Sequence, residues 1–142
     1  METQLFTPPG WLRIAVHALV VLAETDGACT SATVAKELKA HATFLRRVMV
    51  PLVHAQILVV REGRDGGYRL ARPAESITLA EVYQALKGVC QPEKISEQEA
   101  EHSHFQLAFN ALANEIEDTF LAVLARHTIA SMSKQAKSAS LQ

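Results

Sequence analysis

Apolar residues recur at spacings of three and four from Trp11 onward: Trp11, Ile14, Ala15, Ala18, Leu19 and Leu22. That period marks one face of a helix running to about Glu24. Leu12, Val16, Val20 and Val21 make its other side apolar too, so the helix is expected at the centre of a domain. Thr25-Asp26-Gly27 ends it. Thr30 or Ser31 can cap a second helix, from Ala32 to about Lys39, with Val34, Ala35 and Leu38 inward. After Ala40-His41-Ala42, Thr43 is expected to cap a third helix, Phe44 to about Ala55. Leu45, Val48, Met49 and Leu52 form its inward stripe, and Pro51 predicts a kink or a restart. Two short helices joined by about three residues have helix-turn-helix geometry.

The period then changes. Ile57-Leu58-Val59-Val60-Arg61 and Tyr68-Arg69-Leu70-Ala71 are β-rich and flank the turn cluster Gly63-Arg64-Asp65-Gly66-Gly67. Strand, glycine turn, strand reads as a hairpin. A hairpin placed directly after a helix-turn-helix is a wing. Thr78 followed by Glu81 forms a capping box for a helix carrying Val82, Ala85 and Leu86, which is expected to end at Gly88. Residues 89–103 are polar, contain Pro92, and read as a loop.

Phe105, Phe109, Leu112, Ile116, Phe120 and Val123 recur at spacings of four, three, four, four and three. Leu107, Leu121 and Leu124 widen that face. Such a surface predicts a long helix, 104–130, packed on its own domain and on a second copy of the chain; folding wholly onto its own monomer is the alternative. Beyond Met132 the residues are Ser, Lys, Gln and Ala, and 131–142 is expected to be a flexible tail. The fold class is therefore mainly α with a small β-hairpin. A winged helix-turn-helix domain (1–88) is followed by a loop (89–103) and a long C-terminal dimerisation helix.

Composition adds little until it is divided. The 142 residues are 49% hydrophobic and 20% charged, enough for one folded core. No apolar run reaches the roughly 18 residues of a membrane span, and the N-terminus lacks the order of a signal peptide. A cytoplasmic protein with no membrane partner is expected. The net charge is −1, yet residues 1–72 carry nine basic and six acidic residues, and residues 73–142 carry five and nine. The positive excess marks a phosphate-facing surface or is ordinary surface charge, and charge alone does not choose between them.

The basic residues fall on the two elements that would meet DNA. At the start of the third helix stand Thr43, Phe44, Arg46 and Arg47. One of the two arginines is expected to read a base and the other to hold a phosphate. Phe44 either touches a thymine methyl or is buried against the first helix. Arg61, Arg64 and Arg69 flank the wing tip, with Arg64 placed for the minor groove. Gly66 and Gly67 are expected to turn with positive φ and approach a phosphate, with Asp65 pointing back. His17 reads as a core or interface histidine.

The two cysteines, Cys29 and Cys90, exclude a disulfide framework and a CxxC zinc site. They are buried thiols or reactive ones. Cys29 lies just before a helix N-terminus, where the dipole lowers a thiol pKa. A thiol switch at Cys90 or Cys29 is the leading regulatory expectation, ahead of a small-molecule effector or partner near the last helix, or no ligand at all. There is no nucleophile elbow, P-loop, GxGxxG or HExxH, so no enzymatic activity is expected. A winged-helix adaptor that has lost DNA binding is the alternative to a DNA-binding regulator.

The string Gly66-Gly67-Tyr68-Arg69-Leu70-Ala71-Arg72-Pro73, followed by Ile77-Thr78-Leu79-Ala80-Glu81-Val82, carries a specific likeness. With Val16-His17-Ala18-Leu19, Leu22-Ala23-Glu24 and Arg46-Arg47-Val48-Met49, it resembles the Rrf2 family of winged-helix transcription regulators over residues 11–88. The resemblance implies a homodimer on a palindromic double-stranded operator, usually as a repressor, joined through the C-terminal helix. Many such proteins hold an iron–sulfur cluster on three cysteines in the loop before that helix. Here Cys90 stands at the first position, with Ser96 and His102 where the others would fall. The motif is broken, and no cluster is expected. Cys90, His102 and His104 lack a regular metal-ligand spacing, so no metal is expected either.

Overall fold

A computed structural model describes residues 6–64, 66–90 and 103–140 of the chain. Three helices open it: α1 (Gly10–Glu24), α2 (Ser31–Leu38) and α3 (Ala42–His54). A hairpin of β1 (Leu58–Arg61) and β2 (Gly67–Leu70) follows, then a 3-10 turn at Ala74–Ser76, α4 (Leu79–Cys90), α5 (His104–Leu124) and α6 (Ile129–Ser140). The architecture is mainly α with one small antiparallel hairpin, the winged helix-turn-helix arrangement expected from the hydrophobic pattern.

The core is the meeting of the inward stripes. Ala15, Ala18 and Leu19 of α1 are fully buried with Val34 of α2, Leu45, Val48, Met49 and Leu52 of α3, and Val82 and Leu86 of α4. Burying a Leu or Val side chain is worth about 1.5–3 kcal/mol, so these positions supply most of the drive to fold. Thr30 caps α2 by accepting a hydrogen bond from the Thr33 N–H (3.1 Å). The turn into α3 is made by Lys39, held at φ 54°, with the Ala40 N–H donating to the Ala35 carbonyl (2.9 Å). A second left-handed residue, Gln56 (φ 62°), turns the chain from α3 into the wing.

The capping box is formed. The Thr78 N–H donates to Glu81 Oε2 (2.9 Å) and the Glu81 N–H to Thr78 Oγ1 (3.2 Å). Arg72 extends it: Nη2 pairs with Glu81 Oε1 (2.9 Å), and Nη1 donates to the Ser76 carbonyl (2.9 Å). The exit of the wing is thereby tied to the start of α4.

Several boundaries differ from expectation. Thr43 does not cap α3, because the helix begins at Ala42, two residues before the expected Phe44, with His41 in the cap position and no side-chain cap bond. Pro51 is buried within α3, which continues through it. Gly88 does not end α4, which reaches Cys90. The largest correction is at the C-terminus. Residues 131–140, expected as a tail, belong to α6, and the long helix stops at Leu124 rather than near residue 130. The physical reason is a small set of well-placed contacts. Ile129 is fully buried, and its N–H donates to the Ile77 carbonyl (2.9 Å). The Leu79 N–H donates to the His127 carbonyl (3.0 Å), and Ser133 Oγ donates to Glu24 Oε1 (2.8 Å). A mostly polar helix is thus fastened to α1 and to the α4 entrance. Among the described residues no helix is long and apolar enough to cross a membrane.

Candidate nucleic-acid interface

The buried positions of α3 follow helical spacing, which forces the remaining residues onto an outer face. Thr43, Arg46, Arg47, Val50 and His54 are exposed. Phe44 is half-buried and packs against the core. With no side-chain cap on α3, the N–H groups of its first turn keep their capacity to meet an anion beside Thr43.

The wing obeys the period of two. Cα pairs Leu58–Leu70, Val59–Arg69, Val60–Tyr68 and Arg61–Gly67 set its register. Successive side chains alternate between faces, so Val59, Arg61 and Arg69 share one face, and Leu58, Val60, Tyr68 and Leu70 the other. Leu58 is buried, whereas Arg61 and Arg69 are exposed. Arg64 is exposed in the turn between the strands. Within the described residues, Arg46, Arg47, Arg61, Arg64 and Arg69 form no ion pair. Arg72 is the exception on this part of the chain, committed to Glu81.

The wing glycines match expectation in part. Gly67 has the expected positive φ (140°), whereas Gly63 (110°) rather than Gly66 shares it. A Cβ on Gly66 would collide with the Arg61 carbonyl, and one on Gly67 with the Cys29 carbonyl, the latter also lying 2.8 Å from the Thr30 nitrogen. Their smallness serves close approach of the chain to itself. Asp65 lies outside the described residues, as do Ser96 and His102.

Burial shifts both thiols upward. Cys29 is buried in the core beside the wing. Burial, with the nearby Glu37 charge adding to it, pushes its thiol above the ordinary range. That direction is opposite to the lowering expected from a position before α2. Burial also pushes the half-buried Cys90 thiol up; the Arg47 guanidinium pulls the other way and is outweighed. His17 is exposed rather than in the core.

On α5, Phe105 (74% exposed), Phe109, Leu112, Ile116 and Val123 present an apolar stripe to solvent. Phe120 differs from them. It turns toward α4, edge-on to Tyr83 with ring centroids 5.1 Å apart, and Tyr83 stacks in turn on Trp11 at 5.5 Å. Tyr83 Oη donates to Glu117 (3.1 Å), and Lys87 forms an ion pair with the same carboxylate. These contacts fix α5 to α4 and leave the stripe facing outward. The sequence reading missed Val50 and His54 on the outer face of α3, although the spacing 43, 46/47, 50, 54 carries them.

Comparison with known proteins agrees with this geometry. Residues 11–135 match the model of the Rrf2 family, described as an iron-dependent transcriptional regulator. Over 79 residues the chain is 37% identical to the HTH-type transcriptional regulator IscR of Cereibacter sphaeroides, covering 53% of this chain and 51% of that one. The chain spans about half the length of the curated relatives it matches. Among solved structures, IscR of T. potens is similar with a TM-score of 0.72 at 20% identity, over 95% of this chain and 91% of that one. CymR (YrzC), the global cysteine regulator of B. subtilis, is similar with a TM-score of 0.67 at 20% identity, over 92% and 98%. The donor set for a three-thiolate iron–sulfur cluster does not fit, because the chain has two cysteines and Cys29 is buried against the wing.

Proposed function

This chain belongs to the Rrf2 family of transcriptional regulators, and from that premise we propose that it binds double-stranded DNA as a homodimer and acts as a repressor in the bacterial cytoplasm. One observation carries the reading: five exposed arginines that, among the described residues, have no carboxylate partner, divided between the outer face of α3 and the wing. A guanidinium without a protein anion is available for phosphate or guanine. The α3 residues Thr43, Arg46 and Arg47 enter the major groove, with one arginine on a base edge. Arg61 and Arg69 meet phosphates from the outer face of the wing, and Arg64 enters the neighbouring minor groove. The dimer forms when the α5 stripes of two copies cover one another, which gives twofold symmetry and a palindromic operator. No reaction is catalysed. Neither a three-cysteine cluster nor a metal is required, and the raised thiols favour an effector other than oxidation.

The test is selection of bound duplexes from a random pool, followed by titration against salt. A symmetric half-site spaced by about one helical turn, with affinity falling steeply as salt rises, is expected. Binding that is flat with salt, or no enriched sequence, would overturn the reading in favour of a protein-interaction adaptor.

A further inference from the structure

The outer face of α3 does not end at its arginines. It continues into a groove of about 760 Å³ against α4, lined by Arg46, Arg47, Val50 and His54 on one side and Ala85 and Val89 on the other. Val48, Met49 and Leu52 of α3 and Val82 and Leu86 of α4 are fully buried in the core. On its open flank Val50 is 47% and Val89 53% exposed, so two valines on facing helices leave apolar surface uncovered. The lining is graded along α3. Two guanidiniums stand at one end, an apolar trough occupies the middle, and an imidazole stands at the other. At 1.5 Å of rise per residue, Arg47 and His54 are about 10 Å apart along the axis. A phosphate contact needs the arginines alone. The volume falls within the range of small-molecule sites, which combine apolar walls with a few placed polar groups.

We infer that this groove binds a small amphipathic carboxylate, with its head on Arg46 and Arg47 and an apolar body about 10 Å long between Val50, Ala85 and Val89. The inference rests on the DNA-binding reading for its consequence. The same two guanidiniums cannot hold a carboxylate and a DNA strand at once, so the occupied groove withdraws them from the operator. The anion is an inducer by competition for charge, with no second conformation required. Its coupling to DNA is reciprocal: bound operator weakens the carboxylate by the same factor.

The test uses the full chain and octanoate, which has about the required length, at constant ionic strength. Calorimetry without DNA is expected to show one octanoate per chain, and no binding of acetate (head alone) or 1-octanol (body alone). Fluorescence anisotropy is expected to show operator affinity falling about tenfold at saturating octanoate. In Val89→Ser, a neutral change on α4 that removes apolar lining and adds no charge beside the arginines, octanoate binding is weakened about tenfold or more while operator affinity without octanoate matches the wild type. Equal binding of octanol, or wild-type octanoate affinity in Val89→Ser, overturns the site. Intact salt-dependent DNA binding with no octanoate heat overturns it as well and leaves the regulator reading standing. Octanoate binding by a protein that ignores DNA keeps the site and sinks the regulator reading.

Discussion

The main chains of Cys29 and Tyr68 exchange two hydrogen bonds, Cys29 N–H to the Tyr68 carbonyl at 3.0 Å and Tyr68 N–H to the Cys29 carbonyl at 2.7 Å. The pair joins the segment before α2 to the second strand of the wing. The entrance to α2, the first helix of the helix-turn-helix, is therefore held to the wing by backbone rather than by a flexible side chain. Gly67, next to Tyr68, makes the crossing possible.

Gly67→Ala should break that registration. The substitution meets both a positive φ of 140° and the Cys29 backbone. A destabilisation of about 2 kcal/mol or more is expected in urea unfolding, with operator affinity reduced in the protein that remains folded. Gly27→Ala, with φ 84° but open space around it, should cost only about 1 kcal/mol. Equal costs at the two positions would show that the crossing contributes nothing.

The arginines should separate by the kind of contact they make. Replacing whichever of Arg46 and Arg47 reads a base should relax preference at one operator position, by about 1–3 kcal/mol. Arg61→Ala and Arg69→Ala should weaken all sequences alike and lower the slope of log affinity against log salt by about 0.9 each. Anisotropy titrations on matched and mismatched duplexes distinguish the two behaviours.

Ile116 and Phe120 lie on one helix and should fail differently. Ile116 is 60% exposed, so Ile116→Glu should yield monomers in sedimentation while circular dichroism stays unchanged. Phe120 packs edge-on to Tyr83, so Phe120→Ala should lower the stability of each chain, by about 1–3 kcal/mol given partial burial. A monomeric wild type would remove the dimer from the proposal.

The Glu81 carboxyl should show in the pH dependence of stability. Burial pushes its pKa up, but hydrogen bonds from Arg72 and the Thr78 N–H, with the Arg72 charge, outweigh burial and hold it below the ordinary value. A depressed folded pKa contributes stability that is present above the unfolded value, about 4.3, and is lost as pH falls through the folded value. Glu81→Gln should therefore cost about 1 kcal/mol or less at pH 7, since the carboxylate is 42% exposed, and the gap should close below about pH 4.

The thiols should be slow. Because burial raises both, alkylation of Cys29 and Cys90 by iodoacetamide at pH 7 should lag behind a free cysteine and accelerate only above the ordinary thiol range. Mild oxidation should leave operator affinity unchanged. Rapid modification of Cys90 at neutral pH would restore the thiol switch that its sequence position suggests.

What the residues determine by themselves is whatever depends on near neighbours in the chain. The stripe Leu45, Val48, Met49, Leu52 follows from 3.6 residues per turn and leaves Arg46 and Arg47 outside. The Thr78–Glu81 box spans three residues, and the hairpin is bounded by its glycine cluster. Tertiary structure decided the rest, because burial and contact between distant segments have no local signature. It made Gly67 a crossing point over Cys29, raised a thiol that its position before a helix would lower, and turned Phe120 away from the stripe it shares by spacing. It also fastened a polar C-terminal segment into α6 through the buried Ile129 and the Ser133–Glu24 bond, contacts whose partners lie far back along the chain.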